Sequence, residues 1–179
     1  MIGGTSRDYL LGIEPDDLDF VTDATPEEEK AFLPDANYTF ERFGSIKVKI
    51  GATHADVTTL REEGNYKDHR HPGHVRFIKD VRTDSLRRDF TVNALYIDQD
   101  GRVLDFHHGL DDLESKTLRF IGEPRRRILE DPLRILRAER FAKRLGFTIE
   151  PESAEAMDSL RGELSKLNPD KVSLERKKE

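Results

Sequence analysis

The stretch PDDLDFVTD, residues 15–23, sets two carboxylates two positions apart in a segment whose other side chains are largely apolar. Read as a strand, residues i and i+2 point to the same face, which sends Asp17 and Asp19 to one side and Leu18 and Phe20 to a core on the other. Two like charges on one face repel, so the segment either holds something positive or is a plain solvated edge.

Upstream, GGTSRDYLLG, residues 3–12, reads as a tight turn entering a short helix that Gly12 stops. Two glycines let backbone N–H groups approach a phosphate, and a helix N-terminus adds a favourable dipole. Arg7, just inside the helix, would complete an anion site; an ordinary turn with a surface arginine fits the same residues. Neither a Walker lysine motif nor a dinucleotide fingerprint is present.

Downstream, TPEEEKAF predicts a helix start, with Thr25 as N-cap, Pro26 at the first helical position and Glu28 closing a capping box. NYTFERF and SIKVKIG flank Gly44 as an expected antiparallel pair, and HADVTTL as a third strand beside them. If that third strand neighbours the first, Asp56 joins Asp17 and Asp19 on one sheet face. Such hard oxygen donors suit magnesium, completed by substrate phosphates, and two ions about 3.5 to 4 Å apart would serve an in-line displacement.

Residues 61–83 are polar, rich in charge, Gly and His, and show no sustained period, which predicts a long loop. His69, His71 and His74 within it have metal-compatible spacing but no evident second shell, and read as solvated. LRRDFTVNALYID predicts a helical turn running into a strand, DQDGRVLDF a hairpin turned at Asp100-Gly101, and TLRFI a further strand. His107 and His108 read as structural residues at a strand exit.

Beyond Gly122 the pattern is helical, which places a domain boundary between 1–121 and 122–179. The segment EDPLRILRAERFAKRLG starts a helix with Asp131 as N-cap and Pro132 at N1, and stops it at Gly146. At about 100° per residue, Arg137, Arg140 and Arg144 share an arc with Arg134 at its edge, while Ile135, Ala138, Phe141, Ala142 and Leu145 form the buried face. That arc reads as a phosphate rail or as a solvated basic face. Two more helices are expected over 151–160 and 169–179.

The chain has 179 residues, 37% of them charged and 35% hydrophobic, which describes a thin core under a solvated skin. It has no cysteine, so disulfides and thiolate metal sites are excluded. It has neither a membrane-length apolar run nor a signal-peptide pattern, and a cytoplasmic location is the default reading. Behind the net charge of −6 lies an asymmetry: acids dominate residues 1–35 and bases dominate 119–144. An acidic patch for cations beside a basic segment for phosphates is a pairing that nucleotide chemistry uses.

In their order and spacing, GGTSRDYLLG, DDLDFVT, DVTTLR, RRDFTVNAL and EDPLRILRAERFAKRLGF resemble the class II CCA-adding tRNA nucleotidyltransferases and the related bacterial poly(A) polymerases. The resemblance covers nearly the whole chain. It implies an α+β fold: a polymerase β-type nucleotidyltransferase head, a mixed sheet with helices, at 1–121 and an α-helical neck at 122–179. It also implies that the first strand is truncated ahead of Met1, and that the body and tail beyond residue 179 are missing. Asp17 and Asp19 would hold two Mg2+ ions, with Asp56 as the third carboxylate. Gly4 and Arg7 would bind triphosphate. Arg88, Asp131, Arg134, Arg137 and Arg140 would form the nucleotide pocket, with Asp89 and Asn93 ordering the ribose or the pocket wall.

The implied reaction adds C and A to a tRNA 3′ end from CTP and ATP, releasing pyrophosphate. Poly(A) synthesis and a catalytically incompetent binding remnant are the alternatives; FGSIKV and the segment 61–80 look more like the CCA-adding enzymes. Ser6 departs from the family pattern, which generally has Val there, and predicts looser packing of the first helix. Asp131 and Arg134 offer a physical basis for choosing C and A: a carboxylate only accepts and a guanidinium only donates. Cytosine and adenine present an amine donor beside a ring-nitrogen acceptor, whereas guanine and uracil present the reverse.

Overall fold

The computed structural model of the chain describes residues 1–66 and 72–177, and side chains outside 65–74. It separates into two compact units. Met1–Gly64, His74–Arg88 and Asn93–Phe106 form the first, while Asp89–Val92 and the chain from His107 onward make up the main body of the second. This division differs from the domain boundary expected at 121/122.

The first unit opens with helix α1 (Gly3–Leu10) and strand β1 (Leu18–Thr22). Gly12 follows α1 at a φ of 71°, the left-handed stop expected of it. Helix α2 (Pro26–Glu29) carries the full capping box between Thr25 and Glu28. Strands β2 (Ser45–Ile50) and β3 (Thr53–Thr59) form an antiparallel hairpin, and β1 pairs with β3 in parallel, giving the order β1-β3-β2. The expected pairing of NYTFERF with SIKVKIG is therefore corrected. Residues Glu41–Phe43 form a single 3-10 turn, and only Asn37 bridges to Lys47. The hairpin turn is made one strand later, at Gly51, whose φ of 61° suits glycine.

The expected loop over 61–83 is also corrected. Strands β4 (Arg61–Tyr66) and β5 (Pro72–Phe77) form a two-stranded ribbon, and helix α3 (Val81–Ser85) follows, capped by the Asp80 side chain. The ribbon is polar, so it lacks the alternation that marks a half-buried strand; a cross-strand pair, Glu62 with Arg76 at 2.5 Å, helps to hold it. His69, His71 and the His74 side chain lie outside the described residues. Strands β6 (Leu95–Ile97) and β7 (Val103–Asp105) make the predicted hairpin. Met1 exchanges backbone hydrogen bonds with Ile97, at 2.7 and 3.0 Å, and the Ile2 amide donates to the Asp19 carbonyl. Ile2, Leu60 and Tyr96 form a buried cluster, with Val21, Ile78, Val81 and Phe106 packed against it.

In the second unit, helix α4 (Gly109–Glu114) precedes strand β8 (Thr117–Leu118), helices α5 (Pro124–Glu130) and α6 (Leu133–Leu145), strand β9 (Thr148–Ile149) and helices α7 (Pro151–Leu160) and α8 (Pro169–Arg176). The TLRFI strand is thus short, and β8 pairs in parallel with β9. Residues 89–92 enter this unit through an antiparallel bridge between Phe90 and Phe120. Phe90 packs on Phe120 with ring centres 5.0 Å apart and edge-on to Phe141 at 5.9 Å. Ile135 and Ala138 on α6 are fully buried as its period predicts, and Gly146 ends the helix at a φ of 66°.

Candidate active site

The first cluster lies on the β1-β3-β2 sheet. Register places Asp19 opposite Asp56 and Asp56 opposite Lys47, so the three form a row across the strands. The Lys47 ammonium donates to both Asp56 oxygens, at 2.7 and 3.1 Å. Sequence reasoning asked for a positive partner and did not find this lysine; the signal was its place three residues from the end of a hairpin strand. Asp17 is exposed and lies just before β1 rather than within it. Leu18 and Phe20 are only partly buried, and it is Val21 that reaches the core cluster.

Asp19 is held above the ordinary carboxylate range, by burial first and then by the negative charges of Asp56 and Asp17. Arg88 and Lys47 pull the other way without cancelling them. A cation at this face would relieve that excess, and the oxygen donors fit a hard divalent ion. Among the described residues no three His, Asp or Glu side chains form a ready-made metal cage. A site built from one or two carboxylates plus triphosphate oxygens does not require one.

The start of helix α1 lies beside Asp19. Gly3 adopts a φ of 68°, and a side chain there would come within 3.4 Å of an Asp19 carboxylate oxygen. Gly4 has no such conformational need. Thr5, 1% exposed, donates its hydroxyl to the Asp17 carbonyl at 2.8 Å and accepts from the Asp19 amide at 2.7 Å. Ser6 is fully buried and donates to the Leu95 carbonyl at 2.6 Å, so a hydrogen bond replaces the apolar packing expected at that position.

Arg7 is not the surface arginine that an ordinary turn would give. It is 1% exposed, donating to Asp8 at 2.7 Å and to the Asn93 side-chain oxygen at 2.6 Å. Arg7 and Asn93 are thus brought together, in a contact that fixes α1 against the segment before β6.

A cleft of about 210 Å³ opens beside Asp19, lined among others by Phe20, Ser45, Arg61, Arg87 and Arg88. Its arginines converge on Asp84, a fully buried residue that sequence reasoning missed. Asp84 accepts from the Arg61 amide at 2.9 Å, from Arg87 at 2.9 Å, from Arg88 at 3.2 Å and from the Tyr96 hydroxyl at 2.7 Å. Burial would raise its pKa, yet Arg87 and Arg88 hold it below the usual range.

The second cluster belongs to the second unit. Asp89 accepts from Arg134 at 2.8 Å and pairs with Arg137 at 2.5 Å. Arg134, 3% exposed, also donates to the Arg127 carbonyl and to Glu130. Burial pushes Asp89 up, but Arg137 and Arg134 outweigh it and hold the carboxyl below its ordinary range. Asp131 is buried and accepts the Leu133 amide at 3.1 Å, but the expected boundary is corrected: Asp131 ends α5 in extended conformation, and Pro132 takes the N-cap position of α6. Burial raises the Asp131 pKa, with Arg134 opposing.

Arg140 reaches Glu175 at 3.1 Å and lies over the Phe141 ring. The four arginines of α6 are therefore not a uniform exposed rail. Arg134 and Arg140 are committed to internal acids, and Arg137 is half-exposed above Asp89.

The comparisons agree on one family. A model of the poly A polymerase head domain matches residues 1–119. The CCA-adding enzyme of Oceanobacillus iheyensis is 40% identical over 174 residues, covering 97% of this chain and 44% of that protein. That of Lactococcus lactis subsp. cremoris is 42% identical over 180 residues, with the same coverage, 97% and 44%. Among solved structures, the Bacillus stearothermophilus CCA-adding enzyme in complex with CTP superposes with a TM-score of 0.88 at 31% identity, covering 97% of this chain and 42% of that one. A tRNA nucleotidyltransferase complexed with a primer tRNA and an incoming ATP analog gives 0.78 at 32% identity, over 98% and 51%. The chain belongs to the poly A polymerase head-domain family, and it spans less than half the length of these curated relatives.

Proposed function

We propose that this family member is the head and neck of a template-independent RNA nucleotidyltransferase that adds C and A to the 3′ end of tRNA, using CTP and ATP and releasing pyrophosphate. One observation carries the reading: the Asp19–Asp56 register pair, with Asp17 alongside, has more negative charge than Lys47 and Arg88 offset. The similarity to enzymes named for CCA addition selects the reaction. On this reading residues 1–121 are the catalytic head and 122–179 the nucleotide-reading neck. No helix among the described residues is long and apolar enough to cross a membrane, and we place the protein in the cytoplasm.

The RNA 3′ hydroxyl attacks the α-phosphorus of the nucleotide; the new phosphodiester bond forms as the bond to pyrophosphate breaks. Asp17 and Asp19 would hold divalent metal, in our reading two Mg2+ ions, with Asp56 as supporting carboxylate. When bound, such ions supply positive charge against the developing negative charge of phosphoryl transfer. The chain's own part is positioning. Gly3 lets the start of α1 approach Asp19 closely, as a triphosphate site needs, and Gly4 follows it in the first turn, where we place the triphosphate. Arg7, held by Asp8 and Asn93, fixes that helix, and Asp84 orients Arg87 and Arg88 at the cleft.

In the neck, Asp131 and Arg134 read the base. Arg134 is pinned by Asp89, Glu130 and the Arg127 carbonyl, the pre-organisation that a hydrogen-bond template requires. Asp89, Arg137 and Arg140 support the pocket wall. Incorporation of labelled CTP and ATP into a tRNA lacking its CCA end tests the proposal. Asp17→Ala with intact folding abolishes incorporation, and retained activity overturns the metal assignment. Asp131→Asn keeps a cap for Leu133 but adds a donor, so it admits UTP or GTP; unchanged selectivity overturns the base-reading role.

A further inference from the structure

Thr5 has no role in the reading above, yet it is the side chain that meets the Asp17–Asp19 segment from inside the fold. We propose that Thr5 is a positioning residue for these two carboxylates, setting their backbone through one hydroxyl and thereby setting affinity for the divalent cation. The inference rests on Asp17 and Asp19 holding metal.

The geometry is specific. The Thr5 hydroxyl donates to the Asp17 carbonyl at 2.8 Å and accepts from the Asp19 amide at 2.7 Å, so both polar functions of one group are spent on the peptides bracketing Leu18. The Asp19 carbonyl is taken on its other side by the Ile2 amide at 3.1 Å. Asp19 is thus gripped at its amide and at its carbonyl by residues on either side of the Gly3-Gly4 turn. Asp17, lying outside the strand ladder, is anchored at its carbonyl by Thr5.

A hydroxyl is required because the two backbone groups have opposite sense: one accepts and one donates. At this length Ser and Thr offer both in strength, and the Cys thiol offers both only weakly. Thr5 is 1% exposed, and losing its hydroxyl leaves the part-buried Asp17 carbonyl and Asp19 amide without this partner. Carboxylates that must share a cation are sensitive to small displacements of their backbone, and partners one shell removed from metal ligands typically govern 10- to 100-fold in metal affinity.

The test is titration of the intact chain with Mn2+ in the presence of CTP, with thermal melting recorded for each variant. Thr5→Val keeps shape and branching but loses both hydrogen bonds, and it weakens Mn2+ binding at least roughly tenfold. Thr5→Ser restores both bonds and matches the parent chain. Asp19→Asn separates the two hypotheses. If it leaves Mn2+ binding intact, the metal reading falls and this inference with it.

If Asp19→Asn abolishes binding while Thr5→Val, measured below its melting temperature, binds as the parent does, Thr5 is only a structural residue and the inference alone is overturned. Should Thr5→Val fail to fold, Thr5→Cys supplies the reading. Its thiol is a weaker donor and acceptor of similar size, so affinity falls between the Ser variant and the Asp19→Asn variant. An unchanged affinity overturns the proposal.

Discussion

Asp19 in the first unit and Asp89 in the second are both acids with arginine neighbours, yet their carboxyls are displaced in opposite directions. Asp89 is the more deeply buried and has Arg134 and Arg137 directly on its two oxygens, so ionisation is favoured despite desolvation. Asp19 has two further carboxylates near it, and one of those, Asp56, already takes the Lys47 ammonium. Charge on Asp89 is settled by its two arginines; charge at the β1-β3 face is left in excess, where a ligand can settle it. A buried network that is complete resists change, and one that is incomplete is available for binding.

The sharpest way to break this contrast is paired removal of charge. Asp89→Asn removes the acid that Arg134 and Arg137 share, leaving Glu130 as an acid on Arg134, and costs about 4 kcal/mol of stability. Asp19→Asn removes a strained charge and raises stability at neutral pH. A carboxyl with a raised folded pKa adds stability below its unfolded value and loses it as pH rises. Denaturant unfolding at pH 7 checks both signs; a loss of stability in Asp19→Asn would break the comparison.

A smaller effect belongs to Glu29, whose carboxylate oxygens are buried with no hydrogen-bond partner and whose pKa burial pushes up to about 7. Tyr38 feels its charge, yet nothing hydrogen-bonds those oxygens. From the usual 4.5 to about 7 the folded state holds a proton that the unfolded state gives up, so the Glu29 contribution declines across that window and stays low above it. Glu29→Gln is therefore near neutral at pH 4.5 and stabilising by on the order of 2 kcal/mol at pH 8, read from melting curves at the two pH values.

The smallest effect is Lys47→Gln. Its pair with Asp56 is solvent-exposed, so stability changes by about 0.5 kcal/mol at most. The Asp19 carboxyl nevertheless moves further upward, because Lys47 is one of the groups holding it down. A carboxyl NMR titration of Asp19 in this variant sharpens the comparison by showing how much of the excess Lys47 had offset.

Legibility in the sequence follows the range of the interaction. Helix α6 was readable because its apolar period, Pro132 at its start and Gly146 at its end all act locally, although the cap falls one residue later than Asp131. The β4–β5 ribbon was not, since a polar strand has no alternation to read, and pairs such as Glu62–Arg76 become visible only once the strands meet. The two hairpins divided: β6–β7 announced its turn with Asp-Gly, while β2–β3 was displaced by one strand because Gly44 and Gly51 offered competing turns.

By itself the sequence determined the acids, the arginines, the glycine turn and the helix ends, because residue type and local period set those properties. Only the tertiary structure decided which charges are settled. Asp19 meets Asp56 through strand register, Thr5 reaches the Asp17 and Asp19 backbone across the turn, Arg7 is drawn inward to Asn93, and Asp89 takes two arginines more than 40 residues away. Charge compensation depends on distance and burial, and neither is a property of the linear chain.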